Sequence, residues 1–117
     1  MATTPEAKVK AKIHAALKAS GAYAVNYIGG QYANNGTPDI LACLNSRFIG
    51  IEAKAGRGKP TALQIKNLRT INAAGGLALV INETNLSYLE EVLDAIDQGL
   101  EPRSNYKLFE PTQKDTQ

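Results

Sequence analysis

The sequence predicts an α/β domain in which helices pack against a mixed sheet, in the order α-β-β-β-α-β-α. Three features predict it. Apolar stripes at helical spacing alternate with short apolar runs rich in Ile, Leu and Val. Clusters of Gly, Pro, Asn and Ser separate these segments. A chain of 117 residues also has room for one core only, so every segment must share it.

Thr3 or Thr4 can cap a first helix, with Pro5 in the first turn, where proline is tolerated. Val9, Ile13, Ala16 and Leu17 form its stripe, Lys8, Lys12 and Lys18 lie off it, and Gly21 ends it. Residues 22–28 are β-prone, and 29–38 are a loop by composition. Two strands are expected over 39–45 and 48–54, both buried, with Asn45, Ser46 and Arg47 making a tight hairpin. The segment AGRGKP, 55–60, is a flexible basic loop. Thr61 and Gln64 match the capping-box pattern at the start of the next helix, whose apolar side is Leu63, Leu68 and Ile71. Gly75 and Gly76 stop it, and 77–81 is another buried strand. Asn82 or Thr84 caps a last helix carrying Leu86, Leu89, Val92, Leu93 and Ile96, ended by Gly99 and Pro102. The domain is expected to span 1–102, with 103–117 a loose polar tail apart from Tyr106, Leu108 and Phe109.

The formal charge of +2 does not announce a nucleic-acid binder, so the distribution of charge decides more than its sum. The single cysteine, Cys43, excludes an intramolecular disulfide; its mid-strand position suggests core. There is no Cys/His zinc pattern, no transmembrane-length apolar run, and an N-terminus too polar for a signal peptide. The expectation is a soluble, cytoplasmic protein of a reducing compartment, with no membrane partner. His14, the only histidine, reads as a partly exposed helix residue. No constellation supports acyl transfer, and the paired glycines match no dinucleotide or P-loop pattern.

The two central strands carry charge at their ends. Asp39 opens the first, and Glu52 and Lys54 close the second. Glu52 and Lys54 are two apart and share a face. If the strands form an antiparallel hairpin, the start of one lies beside the end of the other, and all three groups meet. Two carboxylates that close repel unless a proton or a cation intervenes. All-oxygen donors suit Mg²⁺ or Mn²⁺ rather than Zn²⁺, and such a site keeps waters and room for phosphate. Lys54 could orient or help deprotonate an attacking water, or offset charge on the phosphate; both roles are open. Taken alone, a Glu-x-Lys pair is also an ordinary surface ion pair, and an Asp after Pro an ordinary turn residue.

Gly36-Thr37-Pro38-Asp39, twelve intervening residues and Glu52-Ala53-Lys54 together resemble the PD-(D/E)xK nuclease superfamily. With the basic loop and Thr61-x-x-Gln64, the pattern is similar to the VRR-NUC (virus-type replication-repair nuclease) family in its stand-alone, phage-like form. The resemblance covers roughly residues 6–82. It implies a restriction-endonuclease-like fold and a metal-dependent DNA endonuclease selective for branched DNA such as a four-way junction. It also implies a homodimer. Asp39 and Glu52 would be metal ligands with the backbone carbonyl of Ala53, and Lys54 would be catalytic. The family usually carries a Glu on the first helix facing the site. Glu6 extends the apolar stripe, lying three before Val9 and seven before Ile13, though a first-turn Glu also suits the helix dipole. Gln64 lies four before Leu68 and seven before Ile71, on the inward side, and can serve both the cap and the site.

Arg57 and Lys59 follow Lys54 in a Gly-rich loop, where phosphate contacts would give sequence-independent, salt-sensitive affinity. Lys66 and Arg69 add positive charge on the next helix. Tyr32 borders Asp39 and could stack on a base or sugar, or sit in a plain surface loop. No residue suggests base-edge reading. The sequence itself argues for dimerisation only through the final helix and the trio Tyr106, Leu108 and Phe109. The competing readings are a restriction-type or single-strand-directed nuclease on the same fold, a catalytically silent nucleic-acid-binding module, and a small structural protein.

Overall fold

A computed structural model describes residues 3–29 and 35–110. Helix α1, Pro5–Ser20, begins where the Thr4 hydroxyl accepts the Ala7 amide at 3.1 Å, and ends at Gly21 in the left-handed conformation. It buries Val9, Ile13 and Leu17, the stripe that its spacing predicts. Strands β1 (Tyr23–Asn26), β2 (Ile40–Leu44) and β3 (Arg47–Ala53) run antiparallel in sequence. Helix α2 (Ala62–Ala73) then carries the chain to β4 (Leu77–Ile81), which pairs parallel with β3. Helix α3 (Leu86–Asp97) and a short 3₁₀ turn (Tyr106–Phe109) follow. The sheet order is β1-β2-β3-β4, so the chain is a mixed α/β structure with a four-stranded mixed sheet and three α-helices.

Strand alternation divides the interior in two. Ile40, Ala42, Leu44, Ile49, Ile51, Leu77, Leu79 and Ile81 face α1 and α3 in the larger cluster. Ala78 and Val80 face the other way, against Ile65 and Leu68 of α2 and Tyr106. All five β4 residues are buried, as expected of a strand covered on both faces. The β2–β3 turn is two residues long, with Asn45 at φ 49° and Ser46 at φ 67°. Two consecutive positive φ values make a hairpin turn whose twist matches the strands it joins.

Several sequence expectations need correction. Phe48 and Cys43 are exposed rather than core: they pair with each other on the face that α2 packs against, at the hairpin end that α2 leaves uncovered. Leu63 is also exposed, and Ile65 takes its place in the packed side of α2. Neither Asn82 nor Thr84 caps α3: Asn85 holds that position, while the Asn82 side chain accepts the Thr84 amide at 2.9 Å. Of the expected tail, the described residues 103–110 are anchored rather than loose, and 111–117 lie outside the described residues. Ser104 Oγ accepts the Ala78 amide at 2.9 Å, and Asn105 Oδ1 accepts the Val80 amide at 2.7 Å. Asn105 Nδ2 donates to the Val80 carbonyl at 2.9 Å, and its backbone amide donates to Ala78 at 3.3 Å. These groups satisfy the outer edge of β4, which would otherwise present unpaired amides. No helix among the described residues is long and apolar enough to cross a membrane.

A candidate metal-binding carboxylate site

The Ile40–Ile51 pair, extended by one residue, sets Asp39 opposite Glu52. The approach to Asp39 is shaped by small residues. Gly36 has φ +82°, and a Cβ there would lie 2.8 Å from Leu63 Cγ and 2.9 Å from the Leu63 carbonyl. Glycine therefore lets the loop press against the first turn of α2. Pro38 is buried over Gly50, where a Cβ would stand 3.2 Å from the proline ring and 2.6 Å from Ile71. The chain leaving Pro38 then enters the sheet: the Tyr27 amide donates to the Asp39 carbonyl at 2.8 Å. The Asp39 side chain turns toward β3, where Oδ2 accepts the Ala53 amide at 2.9 Å.

Glu52 is 1% exposed, a carboxyl placed as deeply as the core leucines. Its Oε1 accepts a hydrogen bond from Gln64 Nε2 at 3.3 Å. Its Oε2 is buried with no hydrogen-bond partner among the described residues. The neighbouring Asp39 carboxyl can bond to Glu52 only when one of the two is protonated. Burial, that shared proton and the Asp39 charge push the Glu52 pKa from 4.5 up to about 9. The Lys54 ammonium works in the opposite direction, and the Glu6 charge raises the value further.

Gln64 reaches the site through the capping box. Its Oε1 accepts the Thr61 amide at 2.8 Å while Thr61 Oγ1 accepts the Gln64 amide at 3.2 Å. The amide nitrogen is left to bond Glu52, so Gln64 closes the capping box and touches Glu52 at once. Lys54 is half-buried and follows on the Glu52 face of β3, its backbone amide bonded to the Ile81 carbonyl at 3.0 Å. Glu6 is half-buried at the start of α1 and felt at Glu52 through its charge. Among the described residues no three His, Cys, Asp or Glu side chains form a ready metal-binding group. The centre is thus a pair, Asp39 and Glu52, with Glu6 farther out.

A scan of protein-family models finds no match to the chain, and neither does a search of curated proteins.

The pair nevertheless fits a hard divalent cation. A buried carboxyl oxygen without a donor, facing a second carboxylate, is an arrangement that a cation relieves. The donors are oxygens, and Mg²⁺ commonly takes only one or two carboxylates and completes its shell with water. The Ala53 amide fixes one Asp39 oxygen and Gln64 fixes one Glu52 oxygen, so both carboxyls are pre-oriented.

Arg57 and Lys59 are exposed in the loop after Lys54. That loop is not free: the Gly56 amide donates to Glu83 Oε1 at 2.7 Å and the Gly58 amide to the Ala55 carbonyl at 3.0 Å. Lys66 is exposed on α2. Arg69 is turned away, its guanidinium donating to Glu110 at 3.0 Å. Tyr32 lies outside the described residues. His14, as expected, is half-buried on α1, and its Nε2 meets Asn26 Oδ1 at 2.7 Å. The groups offered by the sequence for dimerisation are used within the chain. Tyr106 and the α3 residues Leu89, Val92, Leu93 and Ile96 are buried, leaving Leu108, 83% exposed, as the outlying member.

The sequence reading missed Lys10. Its Nζ lies 3.7 Å from Asp39 Oδ1, on the oxygen that Ala53 leaves free. Lys10 follows Glu6 by four residues and so shares its face of α1. That spacing was the signal available.

Proposed function

We propose that the chain is a divalent-metal-dependent DNA endonuclease of the PD-(D/E)xK type, similar to the VRR-NUC family. The observation that carries this reading is the buried Glu52 carboxyl facing Asp39 at the mouth of a hairpin, with one oxygen unpartnered and Lys54 on the same face. A buried carboxyl facing a second carboxyl must hold a proton or meet a cation, which a decorative surface pair need not do.

Asp39, Glu52 and the Ala53 carbonyl would hold Mg²⁺ or Mn²⁺, with Glu6 available through water. The bound cation supplies charge for a phosphodiester oxygen and an activated water. Gln64 keeps Glu52 aimed inward, and the Ala53 amide does the same for Asp39. Lys54 stands beside the pair to orient the water or to offset charge on the phosphate in the transition state. Arg57, Lys59 and Lys66 lie exposed beyond the site as backbone-phosphate contacts, and Tyr32 is the candidate stacking residue. Selectivity for branched DNA and a homodimeric assembly are the parts of the reading that rest on the sequence resemblance.

Calorimetric titration with Mn²⁺ and a cleavage panel of duplex, single-stranded, flapped and four-way DNA test it together. Mn²⁺ binding should vanish in Asp39→Ala. Lys54→Ala should keep metal and DNA binding and lose roughly a hundredfold or more of the cleavage rate. A wild-type chain that ignores millimolar Mn²⁺ refutes the metal site, and a Lys54→Ala variant that cuts at the parental rate removes Lys54 from catalysis.

A further inference from the structure

The Asp39 carboxylate already has a cation of the protein's own. Oδ2 is bonded to the Ala53 amide at 2.9 Å, and Oδ1 lies 3.7 Å from Lys10 Nζ. The lysine is outside the Asp39, Glu52, Lys54 pattern and comes from a different layer of the fold. Its helix is fixed at both ends, by Thr4 and by Gly21, so the base of the side chain is held and its flexible stem does the moving. Side-chain exposures of 35% for Lys10 and 24% for Asp39 put the pair at the open side of the site, where an incoming ion or phosphate must pass. The two lysines come from different elements: Lys54 follows on the Glu52 face of β3, and Lys10 pairs with Asp39 from α1.

We infer that Lys10 is a tethered counter-ion: its ammonium guards Asp39 until a divalent cation displaces it, and it then binds a phosphate of the nucleic acid. The inference rests on the metal-dependent nuclease reading above. An ammonium and a divalent cation cannot both sit against one carboxylate oxygen without repulsion, so entry of the ion detaches the lysine. The released ammonium stays on the mouth of the site, where the nearest anion is then the backbone of bound DNA. Metal occupancy and phosphate binding become linked through one side chain, with reciprocal effect on the two affinities.

Lys10→Met retains the stem and the helix propensity and removes the charge. In calorimetry it should bind Mn²⁺ about two- to fivefold tighter than wild type, the range set by a partly exposed ion pair. Equal or weaker Mn²⁺ binding by Lys10→Met, with wild type binding normally, overturns the inference and leaves the nuclease reading standing. No Mn²⁺ binding by either protein overturns both. The second readout is duplex DNA affinity against KCl concentration, with and without Ca²⁺. Lys10→Met should lower the slope by about one phosphate contact in Ca²⁺ and leave it unchanged without divalent ions. A slope lowered equally in both conditions, or in neither, refutes the hand-over.

Discussion

Replacing Glu52 by Gln should change how the stability of the chain depends on pH, and the sign is fixed by the environment of the carboxyl. Glu52 is 1% exposed and faces Asp39, and its pKa is pushed from 4.5 up to about 9. Between these values the folded chain holds a proton that the unfolded chain releases. Stability contributed by the neutral carboxyl is therefore complete below about pH 4.5 and is lost as pH rises toward 9. The slope is about 1 kcal/mol, or slightly more, per pH unit within that window. From pH 6 to 8 the loss is roughly 2–3 kcal/mol, on the order of 10 °C in Tm for a domain of this size. Glu52→Gln keeps the shape of the protonated side chain and removes the titration, so its curve should lack this fall. All other titrating groups are common to both proteins, and the difference between the curves isolates Glu52.

The assay is chemical or thermal unfolding at half-unit pH steps in EDTA, followed by the same series in Mn²⁺. In the metal, the trend of the wild type should reverse, because the ion binds the deprotonated carboxyl and its affinity rises with pH. Parallel wild-type and Glu52→Gln curves in EDTA from pH 5.5 to 8.5 would refute the reasoning. They would mean that the carboxyl is ionised throughout and that its burial carries no penalty.

Three further outcomes follow from the geometry. Asn105→Ala should destabilise by roughly 1–3 kcal/mol in urea unfolding, because it strands the buried Val80 amide, while the Val80 carbonyl keeps the Asn85 side-chain amide; a change within error would mean that water replaces the lost bond. Gly36→Ala should lower Tm and weaken Mn²⁺ binding in the same protein, since a left-handed φ of +82° and the Leu63 carbonyl at 2.9 Å both oppose a Cβ; normal metal binding would show that the loop relaxes without moving Asp39. Arg57→Ala with Lys59→Ala should leave Mn²⁺ binding intact and lower the salt slope of DNA binding by about two phosphate contacts; an unchanged slope removes the 55–60 loop from the DNA path.

Much of this architecture was legible in the residues. The element order follows from periodicity, and the hairpin follows from two apolar runs around Asn45 and Ser46, which placed Asp39 beside Glu52. The capping box at Thr61 and Gln64 is present as its pattern predicts. What failed was anything that depends on the second face of the sheet. Alternation assigns Phe48 and Cys43 to one face, but only the tertiary position of α2 decides that this part of the face stays uncovered. Leu63 fits a helical stripe, yet it lies two residues, about 200°, around α2 from the buried Ile65 and so falls off the packed side. Ser104 and Asn105 look like tail residues, because side chains that bond to a strand edge some 25 positions away leave no local signature. Lys10 was hidden among similar lysines on α1, although its spacing from Glu6 distinguishes it.

The carboxylate pair stands where two layers meet. Lys10 reaches it from the helix packed on one side of the sheet, with the Glu6 charge farther out, and Gln64 from the helix on the other. A small slip of either helix across the strands would therefore pull one set of groups out of register while leaving the strands themselves paired. Substitutions deep in either hydrophobic layer, at Ile13 or at Leu68, would then alter ion affinity without touching an oxygen donor.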